Sequence, residues 1–448
     1  MRQSMKKTIR FDQAFRQVLQ VVIRWLNATA NSGKVVLVRD LYGVFRIAFE
    51  TQPEQEILEQ LQAELSIEGG SYFPRTSRHF FFKDDLIAPE AIFDCLDAWT
   101  PPDGPDNFQV LDRHLTGREW LFPATKNTGI TPPRAVFFGI KGGVGRTTAL
   151  AMLAWHLSKL GKNVLVVDLD LESPGLGPSL LPSMKTSGDS RIAQGWPEFG
   201  VVDWFVEDAI DQADDDLIED MLGSSKLASN GEIRIVPACG GLVDQDYLSK
   251  LSRVYMDLPK LGKDTEVFGD RLARMLDQLE EKTKPDVVLL DCRAGLHDIS
   301  SAALTRLGAV NYLFAVDTDQ TWDGYRHLFL HWRHQIERLD GIRQRLRMIG
   351  ALTPANEIPS EYAKRFADHA HRVFLEIYDK PSGDSEEFNF SPNDERAPHY
   401  PTLISSHQAY LRFAPLEEAV QLDESRAREA FGGFFEMAVS DLFPEEEA

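Results

Sequence analysis

Between Asp12 and Asn27 the apolar residues Phe15, Val18, Leu19, Val22 and Leu26 recur one helical turn apart, with Asp12 placed to cap the start. The spacing predicts a helix. Two runs rich in β-branched and aromatic residues follow, Val35–Val38 and Val44–Phe49. A helical pattern comes next over Glu54–Leu65 with Ile57, Leu58 and Leu61 on its inner side, then a short strand run Phe80–Phe82 and a last helix near Pro89–Trp99. These elements make an α+β module of about 100 residues. The stretches TPPDGPDNF and FPATKNTGITPPR interrupt regular structure with Pro, Gly and Asn. The expected division is therefore a module over 1–100, a linker over 101–133 and a second domain over 134–448.

After Pro133 apolar strand runs alternate with amphipathic helices: Ala135–Ile140, Val164–Asp168, Ile233–Pro237, Val287–Asp291, Tyr312–Val316 and Met348–Leu352. Runs that are apolar throughout, separated by helices, belong to a parallel sheet covered on both faces. The stretch Val206–Met221 gathers Glu207, Asp208, Asp211, Asp214, Asp215, Asp216, Glu219 and Asp220. It reads as a solvated acidic helix in an insertion.

Charge narrows the function classes. The 48 Lys+Arg against 69 Asp+Glu leave a formal charge of −21, which disfavours broad binding to nucleic acid or anionic membrane. Cys95, Cys239 and Cys292 are scattered without ligand spacing, so neither a disulfide framework nor a zinc site is expected, and Cys292 reads as a core thiol. The first residues lack an apolar leader core, and no later run approaches 18 uncharged apolar residues. A reduced, cytoplasmic protein is the expectation.

The chemistry concentrates where strand Ala135–Ile140 runs into Lys141-Gly142-Gly143-Val144-Gly145-Arg146-Thr147-Thr148 and then into a helical face of Leu150, Leu153, Ala154, Leu157 and Leu160. Glycines between a strand and a helix N-terminus let backbone N–H groups curl around a phosphate, and the helix dipole favours the anion. A hydroxyl in the first turn can complete a Mg²⁺ shell. Two carboxylate segments follow strand runs: Asp168-Leu169-Asp170-Leu171-Glu172-Ser173-Pro174-Gly175, and Asp291-Cys292-Arg293-Ala294-Gly295-Leu296. A carboxylate at the end of a buried strand can hold a Mg²⁺-bound water.

This set resembles the deviant Walker A, switch I and switch II motifs of the ParA/MinD-like P-loop ATPases, in a variant spelled KGGVGR. The resemblance covers about half the chain, Ala135 to Leu352. It implies a Rossmann-like P-loop NTPase with a mostly parallel, doubly wound sheet, here preceded by a small α+β domain. It also implies ATP or ADP with Mg²⁺ and a nucleotide-dependent homodimer. Carried over position by position, Lys141 is the lysine that reaches the partner's phosphates, and Gly142, Gly143, Val144 and Gly145 form the phosphate loop. Thr147 is the Mg²⁺ ligand and Thr148 a phosphate contact. Asp170 positions the attacking water, Asp168 and Asp291 lie at the Mg²⁺ shell, and Gly295 approaches the γ-phosphate. The base is expected near Thr353-Pro354-Ala355-Asn356 and Tyr400-Pro401. Two positions depart from the family. Arg146, expected as a phosphate-binding and catalytic residue, stands in place of the lysine that bridges the terminal phosphates, and Arg293 in place of a proline.

A helix over Trp322–Leu339 lies in the one basic island, Arg326–Arg347, with six arginines and three histidines. A solvated face with ion pairs to the acidic stretch is favoured over DNA binding. His297, His327, His331 and His334 read as surface residues. The leading function is an ATP- and Mg²⁺-dependent dimerising switch whose N-terminal module engages an unidentified protein partner. The alternative is a nucleotide-binding scaffold or sensor with little hydrolysis, because of Arg146. A tyrosine kinase is disfavoured because no tyrosine follows Tyr410, and membrane attachment because the tail is acidic.

Overall fold

The computed structural model describes residues 9–29, 33–75, 78–95, 97–114, 120, 132–182, 195–242, 246–258, 265–333, 340–380 and 387–444. The chain divides into two compact units, Met1–Arg118 and Glu119–Ala448.

In the smaller unit the β-branched and aromatic runs become β1 (Val35–Arg39), β2 (Phe45–Phe49) and β3 (Phe80–Phe82), joined by β4 (Phe108–Asp112) in the order β3-β2-β1-β4. β1 and β2 form an antiparallel hairpin with Val35 opposite Phe49, while β4 lies parallel to β1 with Phe108 opposite Val35. Helices Phe11–Ala28 and Gln55–Glu68 cover one face through Ala14, Val18, Val22, Leu58, Leu61 and Leu65. Three details differ from the sequence reading. Asp12 sits in the first turn and Arg10 takes the cap position. The helix expected near Pro89–Trp99 shrinks to Glu90–Phe93, because Trp99 instead bridges to Val110. The stretch read as a linker holds β4, and its Trp120 is buried in the large unit against Phe138 and Trp332, at ring-centroid distances of 6.3 Å.

The large unit contains β5 (Arg134–Gly139), β6 (Val164–Leu169), β7 (Gly223–Ser224), β8 (Ile233–Val236), β9 (Val287–Cys292), β10 (Val310–Ala315), β11 (Leu346–Thr353) and β12 (Thr402–Ser405). Their order is β12-β11-β10-β5-β9-β6-β8-β7, parallel except for β7. Alternation along each strand feeds two cores. Ala135 and Phe137 face helices Arg146–Lys159 and Glu424–Leu442, whereas Val136 and Phe138 face the side of Phe268–Thr283, Asp319–Trp332 and Pro359–Phe374. This is a doubly wound sheet. β5 is flanked by β10 on one side and β9 on the other, so the chain reverses its winding there, and such a reversal opens a crevice at the strands' carboxyl ends.

The acidic stretch is solvated at Asp211, Asp214, Asp215, Asp216, Glu219 and Asp220, and buried at Asp208. It forms helices Val201–Asp208 and Asp215–Asp220, whose Trp204, Phe205, Leu217 and Ile218 join the core. Asp208 is buried against Arg271 and Arg274. The basic island also differs. Its helix spans Asp319–Trp332, and residues 334–339, which include His334, lie outside the described residues. Arg326 and Arg333 pair with Glu376, Arg343 with Asp379, and Arg347 with Asp441. Those acids come from later parts of the chain, so the expected pairing with the acidic stretch is corrected.

Candidate functional site

β5 ends at Gly139, and Ile140 leads into a loop that turns on two glycines with left-handed backbone, Gly143 at φ 72° and Gly145 at φ 82°. Gly145 caps the helix that starts at Arg146. Left-handed glycines alternating with ordinary residues turn successive N–H groups toward one concave side, where the helix N-terminus adds its field. Val144 is buried in the core beneath and anchors the loop. A Cβ on Gly143 would meet nothing within 4 Å, and one on Gly142 only Ala294 at 3.9 Å, so open space lies over the loop. Lys141 is exposed, and Thr148 is half-buried in the first helical turn. The end of β11 borders the same loop, since Leu352 Cδ2 is the nearest atom, 3.8 Å from a Cβ placed on Gly145.

Three carboxylates gather at the carboxyl ends of β6 and β9. Asp168 and Asp291 are register partners on adjacent strands, and both are buried. Thr147 Oγ1 donates to Asp291 Oδ2 at 2.6 Å, while Asp291 Oδ1 is buried with no hydrogen-bond partner among the described residues. Asp168 accepts from the backbone N–H of Asp170 and of Leu176, each at 3.1 Å. Burial, then the neighbouring Asp291, hold Asp168 well above the usual carboxylate range. Burial pushes Asp291 up to about 6, against the Arg146 charge and the Thr147 hydrogen bond. Asp170 is also raised by burial, with Arg146 opposing.

Arg146 is 7% exposed and runs beneath the loop. Its guanidinium donates to the Cys292 carbonyl and lies 3.9 Å from Asp170 Oδ2. Gly139 makes the passage possible, because a Cβ there would stand 3.3 Å from Arg146 Cδ. Gly295, at φ 90°, donates its N–H to the Gly139 carbonyl at 2.9 Å. The fold thus brings together Thr147, Asp168, Asp170, Asp291, Arg146 and the glycines. Sequence reading missed the role of Gly139 and the grouping of Glu172, Arg293, His297 and Tyr255 beside these carboxylates. Glu172 and Arg293 stood in quoted motifs, but Tyr255 carried no local signal.

A strand–glycine loop–helix unit with a carboxylate on the neighbouring strand, placed where the sheet reverses its winding, defines a P-loop nucleotide-binding fold. Residues 134–204 match the family model of the cellulose biosynthesis protein BcsQ. BcsQ of Escherichia coli strain K12 is 45% identical over 58 residues, 13% of this chain and 20% of that protein, so the match spans one fifth of the relative's length. A ParA family ATPase from Chlorobium tepidum TLS superposes with a TM-score of 0.42 at 13% identity, over 68% of this chain and 98% of its own. The septum site-determining protein MinD of Pyrococcus horikoshii OT3, solved with Mg-ADP, gives 0.41 at 19% identity over 71% and 99%. These superpositions are loose, and the assignment rests on the loop, the strand order and the matched segment. On that basis the large unit has a Rossmann-like P-loop fold, and its leading segment is similar to that of BcsQ.

Proposed function

We propose that the chain is an ATP- and Mg²⁺-dependent molecular switch that dimerises on nucleotide and engages a protein partner through its N-terminal unit. The observation that carries this reading is the corner formed by Thr147 and Asp291 beside the glycine loop, where one buried carboxylate oxygen is left without a partner. An orphaned buried carboxylate oxygen next to a hydroxyl is the donor set that a hard cation needs. Thr147, Asp291 and Asp168 would hold Mg²⁺, which when bound offsets phosphate charge. The N–H groups of Gly142, Gly143, Val144 and Gly145 cradle phosphate oxygens, with Thr148 as a side-chain contact. Asp170 orients a water for attack, Gly295 senses the terminal phosphate once its N–H leaves Gly139, and Lys141 reaches the phosphates of a facing copy. Arg146 runs beneath the loop and holds Asp170 and the Cys292 carbonyl, a restraint on turnover.

Calorimetry on Gly145→Val tests the reading. A β-branched residue at φ 82° costs roughly 1–2 kcal/mol in backbone strain alone and closes the cradle. ATP binding should be lost, and unchanged affinity would remove the P-loop assignment. A second reading, a nucleotide-stabilised scaffold with little turnover, is favoured by one observation: the Arg146 guanidinium is already engaged beneath the loop. Phosphate release measured beside binding of a labelled ATP analogue separates the two. No helix among the described residues is long and apolar enough to cross a membrane.

A further inference from the structure

Glu172, two residues beyond Asp170, receives three side chains on one carboxylate oxygen. Tyr255 donates its hydroxyl to Glu172 Oε1 at 2.7 Å, Arg293 Nη1 lies 2.9 Å from the same oxygen, and His297 Nε2 lies 3.4 Å from it. The other oxygen, Oε2, is buried without a hydrogen-bond partner among the described residues, and so is His297 Nδ1. Tyr255 also stands edge-on to the His297 ring, with centroids 5.0 Å apart. The group joins three segments that are far apart in the chain. Glu172 follows β6, Arg293 and His297 follow β9, and Tyr255 follows helix Tyr247–Val254, whose Tyr247 hydroxyl in turn donates to the Leu171 carbonyl at 2.6 Å.

We infer that Glu172 is a positioning residue whose ion pair with Arg293 couples the loop after β6 to the loop after β9. The inference rests on the nucleotide-switch reading above and adds the device that makes the two loops move together. Arg293 lies between Asp291 and Gly295, on the segment whose Gly295 N–H is bonded to Gly139. An N–H already given to a carbonyl is not available to a phosphate, so that loop must turn before it can bind one. When it turns, Arg293 moves with it, and a charge-assisted contact in a partly buried site draws Glu172, and with it the Asp170 turn, along. With Tyr255 hydrogen-bonded and Arg293 ion-paired at Oε1 while Oε2 stays bare, the carboxylate has a second face to offer during that motion.

Hydrogen exchange on the full chain, with and without Mg²⁺ and the ATP analogue AMPPNP, tests the inference. In the wild type, nucleotide should slow exchange in residues 169–176 and in 292–298 together. In Glu172→Gln and Arg293→Gln the 292–298 response should persist, while the 169–176 response falls on the order of fivefold or more. Arg293→Lys, which keeps the charge, and Tyr255→Phe, which leaves the ion pair, should each retain most of the coupling. A purely structural contact would raise exchange in both states without uncoupling them. If the 169–176 response survives in both glutamine variants, or is lost equally in Tyr255→Phe, the inference is wrong. A wild type that binds no AMPPNP by calorimetry overturns the switch reading itself, and the coupling role falls with it. Two independent glutamine variants guard against one that fails to fold.

Discussion

Thr147 donates its hydroxyl to Asp291 across 2.6 Å, tying the first turn of the helix after the glycine loop to the end of β9. The bond places both groups where a cation could be shared, and the second Asp291 oxygen has no other partner among the described residues. Thr147→Ala and Asp291→Ala should each weaken Mg²⁺-dependent ATP binding by about 10- to 100-fold, because each removes a group acting through the ion. Binding in EDTA should change little. Equal loss with and without the metal, measured by calorimetry, would exclude these roles.

The same carboxyl sets a pH dependence. Burial lifts Asp291 from an ordinary 3.8 up to about 6, although Arg146 and Thr147 pull it down. A folded group with a raised value holds its proton longer than the unfolded one, so its linked stability is fullest below about pH 4 and is lost as pH rises toward 6. Metal binding has the opposite sign, since it needs the ionised form. Mg²⁺-dependent affinity should therefore fall about tenfold per pH unit below 6, as one proton competes for the site. A titration of affinity from pH 5 to 8 measures this, and a flat profile would remove Asp291 from the metal shell.

Arg146→Lys is the informative change in the loop. The resemblance of the loop to lysine-bearing phosphate loops implies that a lysine would restore a compact charge for the phosphates and raise turnover. The buried course of the side chain adds a second reason, because a lysine has one head group where the guanidinium reaches both the Cys292 carbonyl and Asp170. The variant should lose about 1–2 kcal/mol of stability through the weakened buried hydrogen bond. Its turnover should rise as Asp170 is released. A fall in phosphate release would show that the guanidinium itself serves the phosphates.

What could be read from the sequence follows from where local pattern and tertiary structure agree. The strands β5, β6, β9 and β10 are apolar on both faces, so their residue types announce a covered parallel sheet before any packing is known. The glycine loop was legible because its chemistry is local. β4 was not, because Phe108–Asp112 is a short strand after a Pro-rich stretch and is fixed by pairing with β1 and by the Trp99 bridge. Glu172 and Tyr255 meet across more than 80 residues, a contact that periodicity does not encode. In the acidic stretch, Asp208 escaped for a related reason: nothing local announces the arginine that buries it.

That arginine is Arg271, which has no exposed surface. It donates to Asp208 Oδ2 at 2.7 Å and to the carbonyls of Phe205 at 2.6 Å and Met256 at 2.8 Å. Arg271→Met removes the charge but leaves buried acceptors behind, and breaking one side of a buried pair costs about 3–5 kcal/mol. Asp208→Asn keeps hydrogen-bonding capacity and should cost less. Thermal and urea unfolding should rank the two in that order. A loss below about 1 kcal/mol for Arg271→Met would show that the site relaxes or takes up water.

The assembly prediction turns on Lys141, which opens the loop, is exposed, and has no hydrogen-bond or ion-pair partner among the described residues. If its ammonium reaches phosphate only on a facing copy, Lys141→Ala should leave nucleotide binding by one chain nearly intact and remove the ATP-induced dimer. Losing a buried charge contact from an interface costs on the order of 2–5 kcal/mol, which shifts dimerisation by a factor of tens to thousands. Light scattering on wild type and variant, each with ATP and Mg²⁺, reads the result directly. A wild type that stays monomeric at saturating nucleotide would exclude a nucleotide-driven dimer. A variant that dimerises as well as the wild type would leave the dimer but remove the lysine from it. Phosphate release then adds an independent reading: if Lys141 acts across the interface, turnover in the variant should fall and lose its dependence on protein concentration, whereas a lysine acting on its own nucleotide would lower turnover equally at every concentration.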